Sequence, residues 1–198
     1  MPQNAKRVLD VGCSVGTLGE AIAKRNQAEV VGIELDSEMA KLAQVKLDRV
    51  IVGNVENLNL DSFLTPYYFD CIIFGDILEH LIDPWSTLAE FINYLQNDGV
   101  IIISIPNIKH ISTIINLFRG YWPYRERGIH DKTHLRFFTY RNIMELVEQA
   151  GLSVTKIERK YRIIEHPHRL NKLANLLALP IIKDFFTFQY LIATIRKQ

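Results

Sequence analysis

The chain has 198 residues, enough for one domain with a sizeable core. Apolar residues make up 48% and charged residues 23%, which excludes a disordered, collagenous or disulfide-scaffold protein. The net charge of +1 conceals a division, because residues 1–100 carry 7 Lys/Arg against 15 Asp/Glu and residues 101–198 carry 16 against 7. The first half suits a cationic ligand and the second an anionic one, unless the charges merely segregate by face.

Arg7 to Val11 reads as a strand, followed by a glycine turn and a helix from Thr17 to about Arg25. Val30 to Glu34 is a second strand, Ser37 is expected to cap the helix that follows, and Arg49 to Val52 is a third strand. Phe69 to Phe74 is a continuous apolar run of the kind buried on both faces of a parallel sheet, and Pro84 opens a helix through Leu95. Val100 to Ile105 is the most apolar strand. From Asn107 to Phe138 the rhythm breaks into an insertion rich in aromatic and basic residues, of a length that usually carries function. A helix from Tyr140 to Ala150, a strand near Ser153 to Tyr161, a helical stretch from Pro167 to about Leu179 and a strand from Phe185 to Ile195 complete the chain. Alternation at this spacing predicts an α/β fold with a doubly wound, mostly parallel sheet, in a single domain over 1–198. Cys13 and Cys71 lie in apolar runs and read as free thiols of a reducing compartment. With no secretory segment and no run of 18 or so apolar residues, a soluble, cytoplasmic protein without a membrane span is expected.

In such a sheet the ligand site lies beyond the carboxyl end of the first strand. Here that strand enters Asp10-Val11-Gly12-Cys13-Ser14-Val15-Gly16-Thr17-Leu18-Gly19. Ser14 stands where a dinucleotide fingerprint requires its second glycine, and a phosphate loop fails because Gly16 comes one residue early with no Lys after it. What remains is a tight turn preceded by a carboxylate, suited to a cationic ligand.

These residues resemble the first motif of the class I S-adenosylmethionine (SAM)-dependent methyltransferases, whose seven-stranded sheet is doubly wound with an antiparallel last strand. The resemblance runs from Val8 to the terminal strand. It implies SAM as cofactor, with Gly12, Cys13 and Gly16 in the turn under the methionine part and Asp10 serving the same turn. It further implies Glu34 on the ribose hydroxyls, Asn54 and Val55 at the adenine, where the family usually has Asp in place of Asn, and Asp76 at the fourth strand end. The runs Gly75 to Leu81 and Asp131 to Thr139 resemble a narrower group, the bacterial methyltransferases of polysaccharide and cell-envelope clusters, themselves similar to ubiquinone-pathway O-methyltransferases. That implies methyl transfer, here expected to a hydroxyl of a small anionic or sugar-containing acceptor.

Three readings of Glu79, His80 and His134 stay open. Either histidine is a general base, since imidazole titrates near neutrality; or Asp76, Glu79, His80 and His134 form a divalent-metal site; or the group only lines and packs a loop. The histidines are taken as the catalytic pair and no metal is assigned. In the insertion, Arg125, Arg127, Arg136 and Trp122 are the candidate acceptor contacts, because guanidinium forks bind paired oxygens and aromatic rings stack on sugars or bases. A nucleotide-linked or phosphorylated sugar fits that composition. RNA would satisfy it too, although nucleic acid is not the expected partner. A nicotinamide-dependent sugar epimerase or dehydrogenase and a non-catalytic SAM-fold binding module are the rival readings. The family usually carries helices before its first strand. Here the covering element is expected to be 107–138 with 162–184, unless the chain is a fragment or the flank pairs in a homodimer.

Overall fold

The structure is a computed structural model that describes residues 4–174, 179–180 and 182–197. Its strands are β1 (Arg7–Val11), β2 (Glu29–Glu34), β3 (Arg49–Val52), β4 (Phe69–Gly75), β5 (Leu95–Pro106), β6 (Leu152–Tyr161) and β7 (Thr187–Arg196). They form one sheet in the order β3-β2-β1-β4-β5-β7-β6. The first five strands pair in parallel, and β7 runs antiparallel to both β5 and β6. Strand order reverses between β1 and β4, which opens a crevice at their carboxyl ends. The described helices α1 (Thr17–Asn26), α2 (Ser37–Gln44), α3 (Pro84–Phe91), α4 (Ile111–Phe118) and α5 (Tyr140–Gln149) are joined by a helical turn at Lys183–Phe186.

The period of two along each strand divides the core between the two faces. Val8 and, on β4, Cys71 and Ile73 pack with Ile22 of α1 and Ala43 of α2. Leu9, Val11, Ile72 and Phe74 point the other way, toward Leu88 and Phe91 of α3 and Ile143 and Leu146 of α5. Asp10 shares the parity of Val8. It is the one carboxylate in β1, and a strand otherwise buried on both faces delivers it to the crevice.

Several boundaries differ from the sequence reading for local reasons. Asp36, not Ser37, caps α2, accepting the amides of Glu38 at 2.8 Å and Met39 at 3.1 Å through Oδ1. The helix opened by Pro84 ends at Phe91 in a 3-10 turn over Ile92–Tyr94, because Leu95 already pairs with Phe69. The last strand starts at Thr187, after the helical turn. Of the expected Pro167 helix, a 3-10 turn over Arg169–Leu173 is seen, and residues 175–178 lie outside the described residues. The insertion is more ordered than its composition implied. It holds α4 and is stitched at its ends by a bridge between Asn107 and Phe138.

Candidate active site

Beyond β1 the chain turns sharply, with Gly12 at φ 75°, Ser14 at φ 49° and Gly16 at φ 73°. A side chain at Gly12 would be strained in that conformation and would place its Cβ 2.5 Å from Ile77 Cδ1. The amides of Gly12 and Cys13 donate to Ile33 O at 2.8 and 3.0 Å. Glu34 then accepts Ser14 N–H through Oε2 at 2.7 Å and Asp36 N–H through Oε1 at 2.9 Å. The carboxylate at the end of β2 is thus fixed from both sides, with one lone pair on each oxygen left over. Above this frame lies a cleft of about 440 Å³ lined by Glu34, Asn54, Val55, Asp76 and His80 among others. A smaller hollow of about 220 Å³, lined by Asp10, Cys13 and Thr17, adjoins it through the shared Gly12. Seven of the eight cofactor residues read from the sequence therefore line one continuous depression. Gly16 lies behind it, closed in by Ala43 Cα at 3.0 Å from an added Cβ.

Asp10 is 2% exposed and its Oδ2 has no partner. Burial, and then the neighbouring Glu34 charge, pushes its carboxyl up to about 6. A buried acceptor with an open oxygen beside a hollow is what a cationic ligand would stabilise. Cys13 is no nucleophile: burial holds its thiol up to about 12, and its sulfur fills the space that a Cβ on Gly32 would take. Asn54 Oδ1 already accepts Glu56 N–H at 3.0 Å, so an adenine amino group would have to use its second lone pair. Glu56, which the sequence reading missed, ties this wall to the loop before α3 by accepting Ile82 and Asp83 amides at 3.1 and 2.7 Å.

Asp76, at φ 55°, is held by Ser104 Oγ at 2.7 Å and by Gln189 Nε2 at 2.6 and 2.8 Å. Next along the chain, a 3-10 turn over Leu78–His80 presents Glu79 and His80 to a third hollow of about 160 Å³, also lined by Asp76, Asp131 and His134. The His80 and His134 rings meet edge-on with centroids 4.6 Å apart. His134 Nδ1 faces Ile129 O at 3.2 Å, and His80 Nδ1 faces Thr133 O at 3.3 Å and Thr133 Oγ1 at 3.1 Å. A carbonyl can only accept, so both rings carry the proton on Nδ1 and keep Nε2 as a base. Burial, and then His80, holds the His134 ring below the usual histidine range. Glu79, 1% exposed, is pushed up to about 8 chiefly by burial; its Oε1 lies 3.9 Å from His134 Nε2 and its Oε2 is unpartnered. One ligand atom each from Glu79, His80 and His134 lies within 4.8 Å of the others. Asp76 is not in that set; its oxygens accept from Ser104 on β5 and Gln189 on β7.

Residues 2–157 match the sequence profile of a methyltransferase domain. The chain belongs to this methyltransferase family. Curated relatives named ubiquinone biosynthesis O-methyltransferase include one from Neisseria meningitidis serogroup C, 27% identical over 83% of this chain and 71% of its own length. Another, from Aeromonas salmonicida, is 28% identical over 75% of this chain and 63% of its own. Among solved structures, a SAM-dependent methyltransferase from Archaeoglobus fulgidus superposes with a TM-score of 0.67 at 19% identity, covering 97% of this chain and 86% of that one. A second, from Mesorhizobium loti, gives 0.68 at 15%, covering 99% and 94%. The molecule is thus a SAM-dependent methyltransferase with the seven-stranded fold, and the nicotinamide alternative falls away.

The methyltransferase's basic insertion divides in the structure. Arg125 and Arg127 line a hollow beside the histidines. Arg136 instead binds Ile82 O through Nε at 3.1 Å and through Nη2, and its guanidinium stacks 6.0 Å from the Trp85 ring. Trp122 packs edge-on against His130 and Phe137, each at 5.2 Å. Neither Arg136 nor Trp122 lines the hollow of Asp76, His80 and His134, although Arg136 borders a narrow crevice with His134, Pro106 and Phe138.

Proposed function

We propose that this methyltransferase transfers the SAM methyl group to a hydroxyl of a small anionic or sugar-containing acceptor, with His134 or His80 as the base. The observation that carries it is the pair of free Nε2 atoms beside a hollow that shares Asp76 and His80 with the larger cleft. In this reading Asp10, Gly12, Cys13 and Gly16 seat the methionine part, Glu34 takes the ribose hydroxyls, and Asn54 and Val55 flank the adenine. Methyl transfer from a sulfonium is an in-line displacement with the leaving group already supplied, so alignment and exclusion of water dominate. A hydroxyl must still shed its proton. His134 Nε2 receives it, and the Glu79 carboxyl, with Oε1 3.9 Å from that nitrogen, faces the resulting imidazolium. The name O-methyltransferase borne by the relatives supports oxygen as the accepting atom.

The chain acts as a single domain over 1–198, with 107–138 covering the acceptor. A small-molecule partner, a cytoplasmic setting and a homodimer through the flank near β1 belong to the same reading. No helix among the described residues is long and apolar enough to cross a membrane, and both cysteines are free and buried.

The test is transfer of labelled methyl from SAM to a panel of sugar phosphates, nucleotide-linked sugars and phenols, with the product located by mass spectrometry. A methyl ether lost in His134→Ala and His80→Ala is expected; methyl on nitrogen, or turnover indifferent to both histidines, contradicts it. A second reading is favoured by the cluster itself: Glu79, His80 and His134 would hold a divalent cation through one oxygen and two nitrogens, and the unpartnered Glu79 Oε2 fits that demand. Such an ion would lower the pKa of the acceptor hydroxyl. Metal analysis of the purified protein before and after chelation, alongside Glu79→Gln, decides between the two.

A further inference from the structure

The hollow at the histidines continues into a larger one of about 410 Å³, the two sharing Gly128 and Phe188 as a common wall. The lining of this second hollow is strongly basic. Arg162 lies with its guanidinium 4.1 Å from the Phe188 ring centre and donates through Nη1 to Glu165 O at 2.8 Å, which fixes the fork and leaves its remaining N–H groups open. Arg127 makes no hydrogen bond or ion pair among the described residues, and His166 has an imidazole with no hydrogen bond there either. Glu165 is the single buried acid of the lining. Its Oε2 takes Arg125 Nη1 at 2.8 Å and His130 Nδ1 at 3.2 Å, while Oε1 is buried and unpartnered. A Cβ on Gly128 would lie 2.6 Å from that open oxygen, so the glycine is what lets the carboxylate reach the wall between the hollows.

Such a lining has a definite ligand preference. The two acids of the lining are engaged elsewhere, Glu165 by Arg125 and Glu126 by Lys132, so the forks of Arg127 and Arg162 share one space with no ion pair among the described residues and match a group with several anionic oxygens; a lone carboxylate would engage one fork and leave the other bare. The open Glu165 oxygen needs a donor, which a hydroxyl beside that group supplies.

We propose that this hollow is the acceptor's phosphoryl subsite: Arg127, Arg162 and His166 bind a phosphate or diphosphate, and Glu165 Oε1 accepts a neighbouring hydroxyl. The acceptor is then a phosphorylated or diphosphate-linked sugar whose reacting hydroxyl lies at His80 and His134. This rests on the acceptor assignment above, but its binding half is measurable without methyl transfer.

The experiment is calorimetric titration of inorganic pyrophosphate into the SAM-saturated chain. Arg127→Ala, at an exposed and unpartnered side chain, is expected to weaken binding about tenfold or more. Arg162→Lys, which keeps the charge and loses the fork, is expected to weaken it too. His80→Ala should leave it unchanged, so failure of the base assignment and failure of the subsite are told apart. Pyrophosphate affinity equal in the wild type, Arg127→Ala and Arg162→Lys, with SAM affinity intact, overturns the proposal. Sedimentation with phosphatidylglycerol vesicles separates the sources of the phosphoryl group. Capture that pyrophosphate displaces and Arg127→Ala abolishes points to a lipid-linked acceptor, and pyrophosphate binding without capture points to a soluble one.

Discussion

In the proposed reading, Asp10 concentrates the cofactor chemistry in one buried side chain. Its carboxyl is raised to about 6 by burial first and Glu34 second, so in the free protein it is protonated below that value. A cationic ligand favours the carboxylate, and below pH 6 binding must also expel a proton. SAM affinity is therefore expected to fall as pH drops from 7 to 5, approaching tenfold per unit, and to lose this slope in Asp10→Asn, as calorimetry across that range will show. The same linkage runs the other way for the unliganded fold. A group whose folded value exceeds its unfolded one contributes stability below about pH 4 that is lost as pH rises through 6. At His134 the prediction concerns rate. Removing a general base slows turnover by about 10²–10⁴, so kcat for His134→Ala should fall in that range with SAM affinity retained. Both residues were visible in the sequence, Asp10 because it interrupts an apolar strand just before a glycine turn and His134 because it lies in the run Asp131 to Thr139 that resembles the narrower methyltransferase group.

At the scale of elements, Asp76 shows what a linear reading could not reach. Its positive φ is held by Ser104 on β5 and Gln189 on β7, a partner 113 residues away that is brought near by the antiparallel pairing of β5 and β7. Nothing around Gln189 marks it as part of the site, since its neighbours read as ordinary strand. Gln189→Leu leaves the carboxylate short of a donor. It is expected to lower stability by about 1–2 kcal/mol in denaturant titration; an unchanged midpoint would show that Ser104 suffices. Arg162 and His166 escaped for a similar reason, because only folding sets the segment after β6 against the insertion. Arg136 and Trp122, read as acceptor contacts, are packed against Ile82, Trp85 and His130, with Arg136 still bordering His134. The strand–turn–helix rhythm before Pro106 was legible because each element there buries one face by period alone. Caps were less so: Asp36 and Ser37 are both good capping residues, and the choice falls to whichever places its oxygen at the amides of Glu38 and Met39.

Over the whole molecule, the charge division in the sequence becomes a division of labour. The acidic first half places Asp10 and Glu34 around the cleft, where the proposed reading seats a cationic cofactor, and the basic second half places the arginines beyond the histidines. The two regions meet at the carboxyl end of β4, where Asp76 and His80 line both the cleft and the hollow at the histidines. The central claim is that the turn from Asp10 to Gly19 seats a sulfonium compound and not a dinucleotide. Its most direct measurement is calorimetric titration of SAM and of NADH into the wild-type chain and Gly12→Val. The account predicts saturable SAM binding by the wild type, loss of that binding in the variant as its side chain meets Ile77, and no NADH binding by either. Unchanged SAM affinity in Gly12→Val, or NADH binding that SAM displaces, would contradict it.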